Sequence, residues 1–313
     1  MVVSRKQIIF AHRMTTDRLL SNIGLKSKLN EHNNQTNRFL AMSNSTRLKE
    51  VLAIVNNKGG VGKTTTVQSL AAALVRQHHN YRILVVDLDP QGHLSLLHGW
   101  NPQEHQNDRT VYDALRRGQA LPIYKSTREG VYLSPSSPEL QEVDSDLFKQ
   151  VTNPKMVLAK CFGLPVDDHT GEGFTTIIES FDYVFIDCAP ALSQSTYNAM
   201  GVATGLLVPV QMEGLSVNGL GNIIVAMREV QSELNPNLEL RGLLPTMVDA
   251  RPRIVRDFID YLKKSYGDNV CETLIHRSVK MNEAQTMLKD IYDYKPYSPT
   301  GIDYEALCKE LFG

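Results

Sequence analysis

The residues best equipped for chemistry lie in one short stretch, NNKGGVGKTTT, Asn56–Thr66. Glycines at 59, 60 and 62 let successive backbone N–H groups converge on phosphate oxygens without Cβ interference. Lys63 is spaced to reach the terminal phosphates of a nucleotide, and Thr64 to set a hydroxyl on Mg2+. Val61 and Thr65 complete the candidate nucleotide-binding set of Lys58, Gly59, Gly60, Val61, Gly62, Lys63, Thr64 and Thr65. A phosphate loop does not need Lys58, so the extra cation calls for its own explanation. Carboxylates are also required at the ends of neighbouring strands. VVDLDPQ supplies Asp87 and Asp89, which in extended chain face the same side. Asp87 has a plainer use as a cap for the turn that follows. YVFIDCAP supplies Asp187, which would hold Mg2+ through water.

Such residues meet only if strands and helices alternate. VLAIVN, RILVVDLD, GVYLS, YVFID, GLLVPVQ and LRGLLPTMV are short apolar runs that read as buried strands. TTTVQSLAAALVRQ follows the first of them with Val67, Leu70, Ala71, Leu74 and Val75 at helical spacing. Strands apolar on both faces, separated by helical patterns, imply a doubly wound, mostly parallel α/β sheet with helices on both faces. GLPVDDHTGEG, Gly163–Gly173, reads as a surface loop.

The 313 residues carry a net charge of −1, so nucleic acid binding would need a local patch. The first 50 residues have such a bias, with nine basic side chains against three acidic ones. The expected domains are a basic extension over 1–49, partly disordered or helical, and one α/β domain over 50–313. The extension is either a tail, a stretch ahead of a true start at Met14 or Met42, or an arm for DNA or a partner. TTDRLLSNIGLKSKL, Thr15–Leu29, could be one helix interrupted at Gly24. The four cysteines form no C-x-x-C pair, which argues against a zinc or iron–sulfur site within one chain. No apolar run approaches the roughly 18–20 residues of a membrane span.

KGGVGKTTT, VDLDPQG, IDCAP and SVKMNEA, in that order, resemble the ParA/Soj/MinD group of deviant Walker ATPases, above all the ParA partition proteins. The likeness runs from about Leu52 to the C-terminus. It implies a P-loop ATPase that binds ATP and Mg2+ and pairs face to face as an ATP-dependent homodimer, with slow basal hydrolysis. By that likeness Lys63 is the ordinary loop lysine, and Lys58 is a signature lysine that crosses to the other subunit's nucleotide. Asp89 orients the attacking water, Thr64 and Asp187 lie on the magnesium side, and Pro90 and Gln91 belong to the same switch segment. The implied partners are non-specific DNA and a ParB-like centromere-binding protein, in a cytoplasmic, nucleoid-associated setting without stable membrane insertion. A MinD-like or cluster-positioning scaffold without DNA cargo is the alternative, and an operator-binding repressor using the N-terminal arm a third reading.

MinD-like proteins end in a basic amphipathic helix, whereas GIDYEALCKELFG has an acidic polar face that anionic lipid repels. Ile302, Ala306 and Leu307 are expected to pack on the domain. YDYKPY, Tyr292–Tyr297, is expected to pack near the nucleotide. DARPRIVRDFIDYLKK puts Val255, Phe258, Ile259 and Leu262 towards the core and leaves a basic outer face. Within the resemblance, Arg253, Arg277 and Lys280 are the candidate DNA contacts; Asp257 and Asp260 support a merely solvated face. Asn218, where an acid is common, and the absence of the usual proline after Ala284 are departures from the family pattern.

Overall fold

Alternate residues of the central strands, Leu52 and Ile54, Ile83 and Val85, Tyr183 and Phe185, join one hydrophobic cluster. The residues between them, such as Ala53, Leu84 and Val184, are fully buried too. Strands buried on both faces need cover on both, and the chain supplies it with helices. The computed structural model describes residues 47–143, 145, 154–211, 216–248 and 252–313. The expected basic extension up to residue 46, with Met14, Met42 and the helix over Thr15–Leu29, lies outside the described residues, as do Arg251 and the side chain of Asn218. Arg47 and Leu48 donate backbone N–H groups to Ile178 O, and Lys49 to Asp182 O.

In chain order the strands are β1 (Glu50–Ile54), β2 (Ile83–Leu88), β3 (Pro122–Lys125), β4 (Val131–Ser134), β5 (Asp167–Asp168), β6 (Tyr183–Cys188), β7 (Gly205–Gln211) and β8 (Glu239–Thr246). They form a sheet in the order β5-β3-β4-β2-β6-β1-β7-β8. All described pairings of these strands are parallel except β3 with β4. The helices are α1 (Lys63–Gln77), α2 (His93–Leu97), α3 (Val111–Arg117), α4 (Val157–Phe162), α5 (Ile177–Ser180), α6 (Gln194–Val202), α7 (Ser216–Glu233), α8 (Pro252–Tyr266), α9 (Val279–Thr286), α10 (Ile291–Tyr294) and α11 (Pro299–Phe312). α1 packs under α11 and α10, while α6 packs with α4 and α7.

The fold matches the sheet expected from the alternation of apolar runs. β3 and β5 carried no such signal: β3 has four residues and β5 two, at one edge of the sheet. β5 falls inside the segment expected to be a loop. The face of α11 also differs from expectation. Leu307 is buried as expected, but Ile302 and Ala306 are exposed, and the helix buries Tyr304, Cys308 and Leu311 beside Leu307. The tyrosine segment is corrected as well. Tyr292 lies under Arg76, whose guanidinium carbon is 5.7 Å from the ring centre, and Tyr297 is exposed. Arg76 is at the far end of α1 from Lys63, about 20 Å along a helix of that length. Tyr292 therefore lies away from the phosphate loop, whereas Tyr294 donates to Glu283 on α9, the helix whose Gln285 bonds Thr65.

Candidate functional site

The carboxyl ends of β2, β6 and β1 lie side by side, with Asp87 opposite Asp187 and Asp187 opposite Ile54. Residues that are far apart in sequence thus meet at one edge, where ligands bind in open α/β sheets. The chain leaves β1 and turns through Gly60 and Gly62, at φ 72° and 93°, before entering α1. Only glycine adopts such angles without strain. A Cβ added at Gly59, Gly60 or Gly62 would meet no atom within 4 Å. The space above the loop is open, as a phosphate cradle at a helix N-terminus requires.

The loop is fixed from several directions. The Asn56 side-chain amide donates to Pro209 O (2.6 Å) and its oxygen accepts the Lys58 N–H (2.9 Å). Thr246 Oγ1 donates to Val61 O (2.9 Å), and the Gln211 amide to Gly60 O (3.0 Å). Lys63 is buried, with its ammonium 3.2 Å from Lys58 O. Burial pulls that ammonium below the ordinary lysine range, against the attraction of Asp187. Lys58 is half-buried, and its ammonium donates to Gln211 Oε1 (2.9 Å).

Thr64 Oγ1 donates to Asp187 Oδ2 (2.7 Å). Asp187 Oδ1 is buried without a hydrogen-bond partner. Burial first, then the neighbouring Asp87, pushes the Asp187 carboxyl well above the usual carboxylate range. A hydroxyl beside a carboxylate with an unsatisfied oxygen is the hard oxygen donor set that a divalent cation takes. The residues therefore fit Mg2+.

Asp87 and Asp89 do not form the matched pair that extended spacing suggests, because β2 ends at Leu88. Asp87 is fully buried and bonded to its own loop, which supports the capping use. Burial pushes its carboxyl up to about 6, against the hydrogen bonds from Ser95 and Asp89 N–H. Asp89 is half-buried beyond the strand end, where its carboxylate accepts the Gln91 N–H (3.0 Å). Pro90 and Gln91 follow in the same turn, and Gln91 is exposed.

Other residues belong to the site although no motif marks them. Gln211 closes β7, and strand-end position beside β1 was the signal that could have found it. A cavity of about 150 Å³ adjoins Gly62 and Thr65 and is bounded by Thr246, Met247, Ser278 and Gln285. The Gln285 amide donates to Thr65 Oγ1 (2.7 Å). Met247 holds φ 53°, a left-handed conformation a non-glycine residue adopts at a cost.

Of the candidate DNA contacts, Arg277 lines this same cavity, whereas Arg253 and Lys280 do not. The bridge Val248↔His276 brings Arg277 beside the end of β8. Arg253, Arg277 and Lys280 are all exposed. Lys280 pairs with Glu283 (2.7 Å). On α8 Leu262 is buried, Val255, Phe258 and Ile259 only half-buried, and Asp257 and Asp260 exposed with the arginines.

The family model for an AAA domain matches residues 49–240. The chromosome-partitioning ATPase Soj of Thermus thermophilus is 34% identical over 83% of this chain and 94% of its own length. The sporulation initiation inhibitor protein Soj of Bacillus subtilis is 32% identical over 84% and 98%. Cobyrinic acid a,c-diamide synthase of Mycobacterium smegmatis, with bound ATP analogue and magnesium, superposes with a TM-score of 0.67 at 30% identity. That likeness covers 84% of this chain and 93% of the other.

Proposed function

The chain belongs to the ParA/Soj-type family of P-loop ATPases, and from that premise we propose that it is a DNA-segregation motor. ATP pairs two copies, the pair binds DNA without sequence preference, and hydrolysis stimulated by a ParB-like partner releases it. The observation that carries this reading is the second lysine. Lys58 stands one residue ahead of the phosphate loop, half-buried with its ammonium on Gln211, and Lys63 already bonds to its carbonyl. A cation in that place is useful when it serves the nucleotide of a second copy.

The cofactors are ATP and Mg2+. Thr64 by its hydroxyl and Asp187 through water would hold Mg2+, which would supply positive charge against the phosphate oxygens. Thr64 contributes its hydroxyl and Asp187 accepts from it, so the two stay aligned. The loop from Gly59 to Thr65 binds phosphate through backbone N–H groups, and Lys63 adds a charge. Asp89 accepts a hydrogen bond from the attacking water and orients it. Lys58, supplied by one copy to the other, neutralises charge that builds as the phosphoryl group leaves, as an arginine finger does. Positioning and charge account for the whole of such catalysis. The cavity beside Gly62 and Thr65 is the place for the base and ribose.

DNA contact is assigned to Arg253, Arg277 and Lys280. The C-terminal helix α11 uses its apolar face on α1, which supports a DNA-bound motor over a membrane-bound scaffold. No described helix is long and apolar enough to cross a membrane.

The test is retention of DNA on a filter. ATP-dependent retention that weakens steeply with salt is expected. Binding that ignores nucleotide or salt would sink the reading. In the same preparation Asp89→Ala should keep ATP-dependent pairing and lose turnover.

A further inference from the structure

One closed ring of hydrogen bonds grips the backbone of Asp89 at both ends. Asp87 Oδ1 accepts the Asp89 N–H (3.1 Å). Asp87 Oδ2 accepts from the Ser95 N–H (2.9 Å) and the Ser95 hydroxyl (2.7 Å). The Ser95 oxygen accepts the Ser136 N–H (3.0 Å), and the Ser136 hydroxyl donates to Asp89 O (2.7 Å). The ring thus leaves β2, passes through α2, crosses to the segment after β4 and returns to Asp89. Asp87 and Ser95 are wholly buried and Ser136 is 1% exposed, so water does not compete for these bonds.

Asp89 needs such support. It lies past the last residue of β2, so no ladder bond fixes it. The chain after it runs through half-buried Pro90 and exposed Gln91 to Gly92 at φ 63°. Among the described residues, the other backbone tie on its carbonyl comes from within that turn, the Gly92 N–H at 2.9 Å. A group that orients water loses much of its effect when displaced by about 1 Å.

We propose that Ser95 and Ser136 are positioning residues for ATP hydrolysis, acting through the Asp89 backbone without touching nucleotide. The proposal rests on the reading of Asp89 as the water-orienting residue. It makes the segment after β4, which carries no motif, part of the hydrolytic apparatus. A ring that merely satisfies buried polar groups would affect stability when cut and leave turnover per folded molecule unchanged.

The experiment compares Ser136→Ala, Ser95→Ala, the double variant and Asp89→Ala in the full chain. Turnover is measured at saturating ATP and Mg2+, affinity with a fluorescent ATP analogue, and the folded fraction by melting. Each single serine variant should lower kcat about tenfold, the scale of one buried hydrogen bond. Analogue affinity should stay within about twofold. The double variant should be no slower than the slower single by more than about twofold, because both changes open the same ring. The inference is overturned if kcat per folded molecule stays within twofold of the parent, or if affinity falls in step with kcat. If Asp89→Ala itself turns over at the parental rate, the water-orienting role fails and this inference fails with it. If Asp89→Ala is inactive and the serine variants are not, the inference alone fails.

Discussion

Lys58 is held within its own subunit by the Gln211 side chain, whose oxygen accepts from the ammonium at 2.9 Å. The same amide donates to Gly60 O, so Gln211 shapes the loop and occupies the lysine together. To serve a second copy, Lys58 must exchange this neutral acceptor for phosphate oxygens. An ammonium gains more from an anion than from an amide, so the exchange runs towards the nucleotide. Lys58→Ala should therefore leave ATP binding by the separated subunit within about threefold of the parent. Turnover by the pair should fall by about 10³, the lower range for a finger supplied in trans. Equilibrium binding of a fluorescent analogue to dilute protein and steady-state turnover at high protein concentration check the two halves. Loss of binding in the first assay would make Lys58 an ordinary loop residue. Lys58, Lys63, Thr64 and Asp187 were legible in the sequence because one motif and one strand end announce them. Gln211, Ser95 and Ser136 were not. Each comes from a different part of the chain and acts through a common hydrogen-bonding group that gives no local pattern.

The C-terminal helix shows what periodicity reads well and what it misses. Its amphipathic character was visible, but the buried side was assigned to Ile302, Ala306 and Leu307. Of these only Leu307 faces inward, together with Gly301, Tyr304, Cys308 and Leu311. The reason is Tyr304, a polar-tipped ring whose hydroxyl finds Thr66 Oγ1 at 3.1 Å on the phosphate-loop helix. A partner for the hydroxyl lets the ring be buried, and the helix rotates to suit it. Arg76 and Glu305 add an exposed ion pair at 3.2 Å across the same contact. Leu307→Ala should cost about 2–5 kcal/mol of stability in denaturant titration, as buried leucines do. Ile302→Ala should stay within about 0.5 kcal/mol. Equal costs would mean that the buried side is the one first expected from the sequence. The central strands were legible for the opposite reason: their residues are apolar on both faces, so no choice of side arises. β3 and β5 were missed because only Pro122 and Ile123 of β3 and neither residue of β5 are buried, which is too little to leave a pattern.

For the whole molecule, a net charge of −1 means that DNA binding must come from where charge is placed. The two ends of the candidate surface are not equivalent. Arg253 is exposed on α8, and the bridge from Val248 to His276 sets Arg277 just beyond the end of β8. Lys280 is exposed too, but its ammonium pairs with Glu283, which also accepts from the Tyr294 hydroxyl at 2.6 Å. The pair holds the Lys280 ammonium above its ordinary range and the Glu283 carboxyl below its own. A phosphate that took Lys280 would have to displace a carboxylate already satisfied from two sides. Arg253→Ala should therefore weaken ATP-dependent DNA binding and lower the slope of log affinity against log salt by about 1 per subunit. Lys280→Ala should change both less, and Glu283→Gln should tighten binding by releasing the lysine and removing an acid. Binding measured with the ATP-locked Asp89→Ala protein across a salt series separates these outcomes from effects on turnover. If Lys280→Ala costs more than Arg253→Ala, the DNA surface centres on α9 and α8 is a solvated face, as Asp257 and Asp260 beside the arginines would then explain.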